Sequence, residues 1–168
     1  MNWDAIGAIG EIVGAVAVFA SLIYLAIQIR AQNKESRLGA IFEFTQLYNQ
    51  ITDAMTSDSG MADIWIKVSS EKGLGCLDDA EKIRFSNLQM KVTRMWENSY
   101  YQYNEGRLDE RLWNSINIQA SEVASLPAYK SFWQQRFHYY SDEFQRFVEN
   151  NNIERKYEML SINRSVDT

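Results

Sequence analysis

Residues 5–29 read AIGAIGEIVGAVAVFASLIYLAIQI, and this stretch decides the fold of the chain. As an α-helix it would be roughly 37 Å long, which exceeds the hydrocarbon thickness of a bilayer, about 30 Å. Its only charged residue is Glu11, and its other strongly polar interruption is Gln28. In lipid, a single segment can satisfy its backbone polar groups only as a helix. The stretch therefore predicts one transmembrane helix rather than a soluble core helix, which normally carries a polar face.

One side of the predicted span carries only small residues. At about 100° per residue, a single stripe holds the following five positions: Gly7, Gly10, Gly14, Ala17 and Ser21. Bulky residues occupy the other side: Ile9, Ile12, Val16, Phe19 and Ile23. Small residues let helix backbones approach closely in lipid, where packing drives association. We therefore expect this small-residue stripe to be a helix–helix interface, although glycine and alanine are also common in spans that have no partner.

Glu11 lies about a quarter turn from the small-residue stripe. A carboxylate facing lipid would cost about 2.5 kcal/mol or more, so we expect it to face a neighbouring helix, a polar cavity or the water boundary. A ring of such residues could line an ion path, with Glu11 near the pore mouth. Alternatively, Glu11 only fixes the register of the helix. Its closeness in sequence to Asp4, at the water boundary, favours this second role.

Basic residues flank the span on one side only. Arg30, Lys34 and Arg37 follow it, whereas Trp3 and Asp4 precede it. The three cations suit contact with anionic lipid headgroups. The positive-inside rule then places the N-terminus outside and the rest of the chain in the cytoplasm. A cleavable signal peptide would need a basic first region and a shorter apolar run, so we expect an uncleaved single-pass anchor.

Composition restricts what the rest of the chain can be. The 168 residues include one proline and eight glycines, which favours helices over an all-β fold. The formal net charge of −5 argues against a nucleic-acid partner. The single cysteine, Cys76, excludes an internal disulfide and a cysteine-rich zinc site, and it suits a reducing cytoplasm.

Helical periodicity continues after the span. We predict an all-α fold, in which one N-terminal transmembrane helix continues into a cytoplasmic bundle of about four to five helices. The predicted segments are an anchor over 1–30, a cytoplasmic helical domain over 31–150 and a polar C-terminal tail over 151–168. Turn clusters at 56–60 and 71–77 separate the first helices.

Caps and breakers divide the later part of the chain. Asp78 or Asp79 would cap a helix that runs to about Asn104. The next helix has a predicted core stripe: Leu112, Ile116, Ala120, Val123 and Leu126. Pro127 fits the first turn of a last long helix. This is the most aromatic segment of the chain, and one face of the helix would carry Trp133, Phe137, Tyr140, Phe144 and Phe147 or Val148.

No arrangement of residues predicts catalysis, a cofactor or a metal. The glycines Gly73 and Gly75 lack the third glycine and the Lys-Ser/Thr pair of a phosphate-binding loop, and they indicate a helix end and a turn. The only histidine, His138, has no acidic or cysteine partner at metal-ligand spacing. The aromatic residues have the spacing of a packed core rather than of a base-stacking platform. We expect no catalytic, cofactor-binding or metal-binding residues.

Two stretches carry a resemblance. The opening WDAIGAIGEIVGAVAV and the later GRLDERLW, FWQQR and YYSDEFQRFVEN resemble a widespread group of uncharacterised bacterial membrane proteins with an N-terminal span and a small helical domain. The pattern covers nearly the whole chain. The group often has a glycine-containing turn where this chain has Pro127. The resemblance implies a single-pass topology in a bacterial inner membrane, and it supplies no active site.

Three functions are compatible with these features. The first is a non-enzymatic, self-associating membrane scaffold or effector, with a pore as its more speculative form. The second is an accessory subunit whose small-residue stripe packs on a larger membrane complex. The third, ranked last, is a membrane-tethered sensor or enzyme with a pocket among the aromatic helices. The expected partners are membrane lipid and either further copies of this chain or another membrane protein.

Overall fold

A computed structural model describes residues 3–69 and 73–151. These residues contain no β-strand, so the predicted all-α class is confirmed. The helices are α1 (Trp3–Thr56), α2 (Ser59–Val68), α3 (Asp79–Asn104), α4 (Glu110–Ala124), α5 (Pro127–Arg136) and α6 (Asp142–Asn150). Two short 3-10 helices cover Gly73–Cys76 and Phe137–Tyr139. The chain forms two compact units, residues 1–40 and residues 41–168.

The first unit consists of the N-terminal part of α1. Every side chain over residues 6–35 is exposed, including Ile9 at 62% and Phe19 at 70%. Among the described helices, α1 is the one that is long and apolar enough to cross a membrane, with a mean hydropathy of 2.3 over its most apolar window. None of that window is buried within the protein, which distinguishes it from the core helix of a soluble protein.

Carboxylate caps fix where the helices of the second unit begin. The Asp58 side chain accepts a hydrogen bond from the amide of Gly60 at the start of α2. Asp78 and Glu81 form a reciprocal capping box at the start of α3. Asp109 accepts from the amide of Leu112 at the start of α4. The expected cap at Asp78 and the end of α3 at Asn104 are therefore both confirmed.

The core of the second unit lies between α3 and the elements packed around it. Its buried members come from the last turns of α1, from α2, α3 and α5, and from the residues just before α3 and α5: Ile51, Met61, Ile64, Val68, Leu77, Phe85, Leu88, Met95, Leu126, Ala128, Tyr129 and Phe132. The core includes the last turns of α1, so those turns fold as part of the bundle. Burial of these side chains supplies the main free energy that holds the bundle together.

Two glycines adopt backbone conformations that other residues avoid. Gly73 has φ +57°, and a Cβ atom there would lie 3.5 Å from Cβ of Pro127. Gly106 has φ +69° and follows Glu105, the C-cap residue of α3. The predicted loop over 71–77 contains the first 3-10 helix, in which the Cys76 thiol donates to the carbonyl of Gly73 at 3.0 Å. Residues 70–72 lie outside the described part of the chain.

The prediction of one long helix after Pro127 was wrong. The helix α5 does begin at Pro127, but it ends at Arg136 and is followed by a 3-10 turn. The backbone of Tyr140 is extended. The hydroxyl of Ser141 then accepts a hydrogen bond from the amide of Phe144 and caps the start of α6. This break turns Phe137 outward, where it is 40% exposed, while Tyr140 and Phe144 stay buried.

The predicted core stripe of α4 was partly wrong. Ile116, Ala120 and Leu126 are buried as expected. Val123 is half-buried against the core, but Leu112 is only half-buried and is not among the core residues. The buried face is instead Trp113, Ile116, Asn117, Ala120 and Ser121. Compared with the predicted stripe, the buried face of α4 is rotated so that it includes Asn117 and Ser121. Both polar side chains have hydrogen-bond partners, which compensate for their burial.

The predicted polar tail over 151–168 lies outside the described residues, except for Asn151.

Candidate functional site

The small-residue stripe is open along its whole length. All five of its residues lie on α1 and are exposed: Gly7, Gly10, Gly14, Ala17 and Ser21. A Cβ atom added at Gly7, Gly10 or Gly14 would meet nothing within 4 Å. The stripe is therefore a smooth surface on which another helix could approach the backbone closely.

Two polar side chains of the apolar segment, Ser21 and Gln28, donate hydrogen bonds within α1. The Ser21 hydroxyl donates to the carbonyl of Ala17 at 2.9 Å. The Gln28 amide donates to the Tyr24 hydroxyl at 2.6 Å. Such local hydrogen bonds lower the cost of placing polar groups in lipid. They leave the surface of the stripe at Ala17 and Ser21 small and nearly apolar.

The other predicted site residues of α1 are also exposed. Glu11 and the three cations Arg30, Lys34 and Arg37 lie on the same helix, and no ion pair among the described residues joins them. Along an α-helix, Glu11 and Arg30 are separated by roughly 28 Å. The acidic residue and the basic cluster therefore lie near opposite ends of the apolar segment. The distance between them is close to the thickness of the hydrocarbon core of a bilayer, about 30 Å.

A row of polar side chains is buried along α3 in the second unit. Gln89, Thr93 and Glu97 are spaced by four residues and lie on one face of the helix. The hydroxyls of Thr93 and Tyr129 are 3.0 Å apart, and either can donate. Burial raises the pKa of the Tyr129 phenol, and the hydrogen bond to Thr93 partly offsets this rise. Tyr129 is therefore a neutral structural hydroxyl at physiological pH.

Glu97 is the centre of a polar cluster that joins α3 to the start of α6. Its side chain accepts hydrogen bonds from the Arg94 guanidinium and from Ser141. The same guanidinium donates to the carbonyl of Tyr139 at 2.9 Å and lies over the ring of Tyr140, 4.7 Å from its centroid. Both carboxylate oxygens of Glu97 accept hydrogen bonds, which is typical of a structural network.

A second polar cluster lies where the described chain ends. The Asn117 side-chain oxygen accepts from the indole of Trp96 at 3.2 Å and from the amide of Asn151 at 3.1 Å. The Asn151 amide also donates to Ser121 at 2.9 Å. These hydrogen bonds explain why α4 buries Asn117 and Ser121. Hydrophobic periodicity alone could not predict that these polar side chains are buried.

Aromatic residues of α3, α4 and α6 form a packed cluster, which includes Phe144 and Phe147 of the predicted aromatic face. Tyr100 and Phe147 stack with ring centroids 4.6 Å apart. Trp96 meets Phe144 edge-on at 5.5 Å, and Trp113 contacts Phe147 at 5.6 Å. We call these five residues the aromatic cluster. Their faces are occupied by one another, so they do not form an open stacking platform.

No metal-ligand group is visible in the described part of the chain: no three His, Cys, Asp or Glu side chains come together there. The ring of His138 lies beside the rings of Phe137 and Tyr139, with centroid distances of 5.8 and 4.5 Å. The geometry around His138 therefore supplies no ligand set for a catalytic metal.

Sequence reasoning did not anticipate the cavity of the second unit. This cavity has a volume of about 260 Å³ and lies between the last turns of α1 and helices α2, α3 and α4. Its walls include Met55, Trp65, Met95, Trp96 and Ile116. Residues from four helices meet there, and no local pattern in the sequence marks such a meeting point.

No protein-family model, no curated protein and no solved structure matches the chain.

Proposed function

We propose that the chain is a non-enzymatic, self-associating single-pass membrane protein that serves as a homo-oligomeric scaffold or effector. The observation that carries this proposal is the exposed apolar surface of α1. Over residues 6–35 no side chain is covered by the rest of the protein. In water that surface would be strongly unfavourable, at about 25 cal/mol for each Å² of apolar area. Insertion of this segment into a bilayer removes the cost.

The direction of insertion follows from charge. Arg30, Lys34 and Arg37 are exposed and lie beyond one end of the apolar segment. Cations next to a span remain on the cytoplasmic side in bacterial inner membranes. We therefore propose that the N-terminus is outside and that the helical unit is cytoplasmic. The resemblance to bacterial membrane proteins supports the same placement.

Self-association is proposed from the small-residue stripe. Lipid tails pack poorly against a flat glycine surface, whereas a second helix can approach it closely and gain dispersion contacts. The open space at Gly7, Gly10 and Gly14 supports such an approach. The proposed partner helix belongs to another copy of the same chain, because other copies are always present and each copy supplies one stripe. In an assembly of several copies, Glu11 lies near one end of the span, where a pore mouth would be.

Chemical crosslinking and native mass measurement of the full chain in lipid nanodiscs test this proposal. Gly14→Leu should convert the assembly to a smaller species or a monomer, because the new side chain separates the helix backbones. Val16→Leu, on the bulky side, is the matched control and should leave the mass unchanged.

Two results would contradict the proposal. If wild-type protein is monomeric at all protein-to-lipid ratios, the stripe has no partner among its own copies. If it purifies at fixed stoichiometry with a different membrane protein, and Gly14→Leu abolishes that complex, the chain is an accessory subunit instead.

A further inference from the structure

We propose that the cavity of the second unit is the docking site of the chain's own C-terminal segment, residues 152–168. These residues lie outside the described part of the chain. Three features support this assignment: the place where the described chain ends, the apolar walls of the cavity and the residue pattern of the segment. Docking of this kind involves the helical unit alone, so it does not depend on whether α1 associates with further copies.

The described chain ends beside the cavity. The side-chain amide of Asn151 donates to Asn117 at 3.1 Å and to Ser121 at 2.9 Å, which anchors the chain end on α4. The indole nitrogen of Trp96 donates to the same oxygen of Asn117 at 3.2 Å, and Trp96 also lines the cavity. One buried indole therefore contacts the anchor and forms part of the cavity wall. Ile153 follows Asn151 by two residues, so the segment starts within about 7 Å of the anchor.

The cavity has mainly apolar walls and is open to water on one side. Exposed residues form its rim: Tyr48, Thr52 and Gln119. The apolar walls behind the rim include Met55, Trp65, Val92, Met95, Ile116 and Val123. Apolar surface that remains in water is unfavourable in proportion to its area, so covering the opening stabilises the helical unit. A segment tethered beside the opening is well placed to cover it.

The C-terminal segment has an apolar face at helical spacing. Ile153, Tyr157 and Leu160 occupy positions i, i+4 and i+7 and would form one side of a helix. The other side would carry charged residues: Glu154, Arg155 and Glu158. An isolated helix of this length is marginal in water, and it becomes stable when its apolar face packs into a hydrophobic groove. The pattern therefore fits a helix that forms on the open side of the cavity.

Two other occupants compete for the same surface: the C-terminal segment of a second copy and an acyl chain of the bilayer. The covalent connection at Asn151 favours the chain's own segment, because a short tether gives an effective concentration in the millimolar range. Any external apolar partner of this cavity would have to displace the segment first. The segment is thus a built-in cover for the apolar walls.

Methyl NMR on the full chain in nanodiscs of perdeuterated lipid tests the contact. Methyl groups of methionine, isoleucine and leucine are ¹³C-labelled in an otherwise deuterated chain, and the signals are assigned with single substitutions. Ile153 or Leu160 should show NOEs to the methyl groups of Met55 or Met95, which line the cavity. Met61 belongs to the core but does not line the cavity, and it should show no NOE to either residue.

Isotope dilution identifies which copy supplies the segment. The labelled chain is mixed with a large excess of unlabelled, perdeuterated chain before reconstitution. If the contact forms within one chain, the NOE intensity for each labelled molecule should stay the same. A loss of intensity in proportion to the dilution would show that the segment of one copy occupies the cavity of another, which would overturn the proposal.

Limited trypsin digestion measures how firmly the segment is held. Cleavage after Arg155 and Lys156 requires release of the segment, and its rate follows the population of the released form when docking is fast. Leu160→Ser should raise this rate about tenfold, because it removes a buried leucine. Glu158→Ser is the matched control and should have little effect, since Glu158 lies on the other side of the helix. Each rate is divided by that of a free 152–168 peptide with the same substitution, which corrects for the local sequence.

Three further results would overturn the proposal. The first is the absence of NOEs from Ile153 and Leu160 to both Met55 and Met95 in the wild-type chain. The second is an equal corrected cleavage rate in the wild type and in both serine variants. The third is a set of NOEs from protonated lipid chains to Met55 and Met95, without any from the C-terminal segment, which would make lipid the occupant.

Discussion

The side chain of Glu97 accepts hydrogen bonds from both the backbone amide and the hydroxyl of Ser141, at 2.9 and 3.0 Å. Glu97 belongs to α3 and is 5% exposed, and Ser141 is the residue that starts α6. One buried carboxylate therefore fixes the position at which a helix more than 40 residues later begins. Charge-assisted hydrogen bonds of this kind are about twice as strong as neutral ones.

Glu97→Ala should lower the free energy of unfolding of the helical unit by about 2 kcal/mol, because it leaves the partly buried amide of Ser141 without its acceptor. Urea unfolding followed by tryptophan fluorescence measures the change. Glu149→Ala, at an exposed site of α6, is the control and should change stability by less than about 0.5 kcal/mol. Equal losses in both variants would show that the Glu97–Ser141 contact contributes nothing specific.

Gln89→Met should stabilise the protein. Gln89 is completely buried, and neither its amide nitrogen nor its oxygen has a hydrogen-bond partner within the described chain. Such unpaired groups cost about 1–3 kcal/mol, and methionine fills a similar volume without them. The free energy of unfolding should therefore rise by about that amount. Gln50→Met, at an exposed position, should have little effect, and a destabilising Gln89→Met would reveal an unrecognised partner of the amide.

Alkaline pH should destabilise the fold through Tyr129. Burial raises the pKa of its phenol above the ordinary value of about 10, although the hydrogen bond with Thr93 opposes part of this rise. Above that pH the unfolded chain loses the proton while the folded chain retains it. The stabilisation is therefore complete below the unfolded pKa and declines as the pH rises beyond it.

Tyr129→Phe should reduce this alkaline loss, although it costs about 1 kcal/mol near neutral pH through the lost hydrogen bond. Part of the loss should persist, because burial also raises the pKa of Tyr140. Urea midpoints at pH 8 and pH 11 measure the effect. Thr93→Val is the control: it removes the same hydrogen bond but keeps the phenol, so its alkaline loss should remain. Identical pH dependence of the two variants would contradict the assignment to Tyr129.

The two glycines of the first 3-10 helix form a matched pair. Gly73 has φ +57° and packs against Pro127, whereas Gly75 has open space around it and no positive φ. Gly73→Ala should lower the melting temperature by several degrees, because an L-residue in the left-handed region costs about 1–2 kcal/mol. Gly75→Ala should leave it unchanged or raise it slightly. A melting temperature that is insensitive to Gly73→Ala would mean that the backbone relaxes there.

The orientation of the span should depend on the cations that follow it. Neutralising them (Arg30→Gln, Lys34→Gln and Arg37→Gln) and adding Asn2→Lys and Asp4→Lys should invert the protein in the membrane. C-terminal fusions to a reporter active on only one side of the membrane would detect the inversion. Neutralising the distant Arg111 and Lys130 should have no effect. A reporter that stays in place after the charge exchange would contradict an orientation set by these residues.

Local chemistry made part of this fold predictable. Asp78 caps α3 because its carboxylate can reach an amide three residues later, and Pro127 starts α5 because its fixed φ suits a first helical turn. The long α1 was predictable from an apolar run without breakers. Each of these signals depends only on residues that are close in sequence.

The remaining features depend on contacts between distant segments. The break before α6 was missed because aromatic spacing continues through it, although Ser141 followed by Asp142 and Glu143 has the composition of a helix start. The buried face of α4 depends on Asn151, a residue that lies 34 positions after Asn117. The cavity likewise needs several helices to be assembled before it exists.

The aromatic cluster has a consequence for biosynthesis. Its rings come from α3, α4 and α6, so Trp96 and Trp113 cannot be covered until Phe144 and Phe147 have been translated. At ordinary rates of translation, roughly 2–10 seconds separate the emergence of Trp96 from that of Phe144. During that interval the nascent chain presents uncovered indole and phenol rings to the cell, and a chaperone that shields aromatic surface would act at this stage.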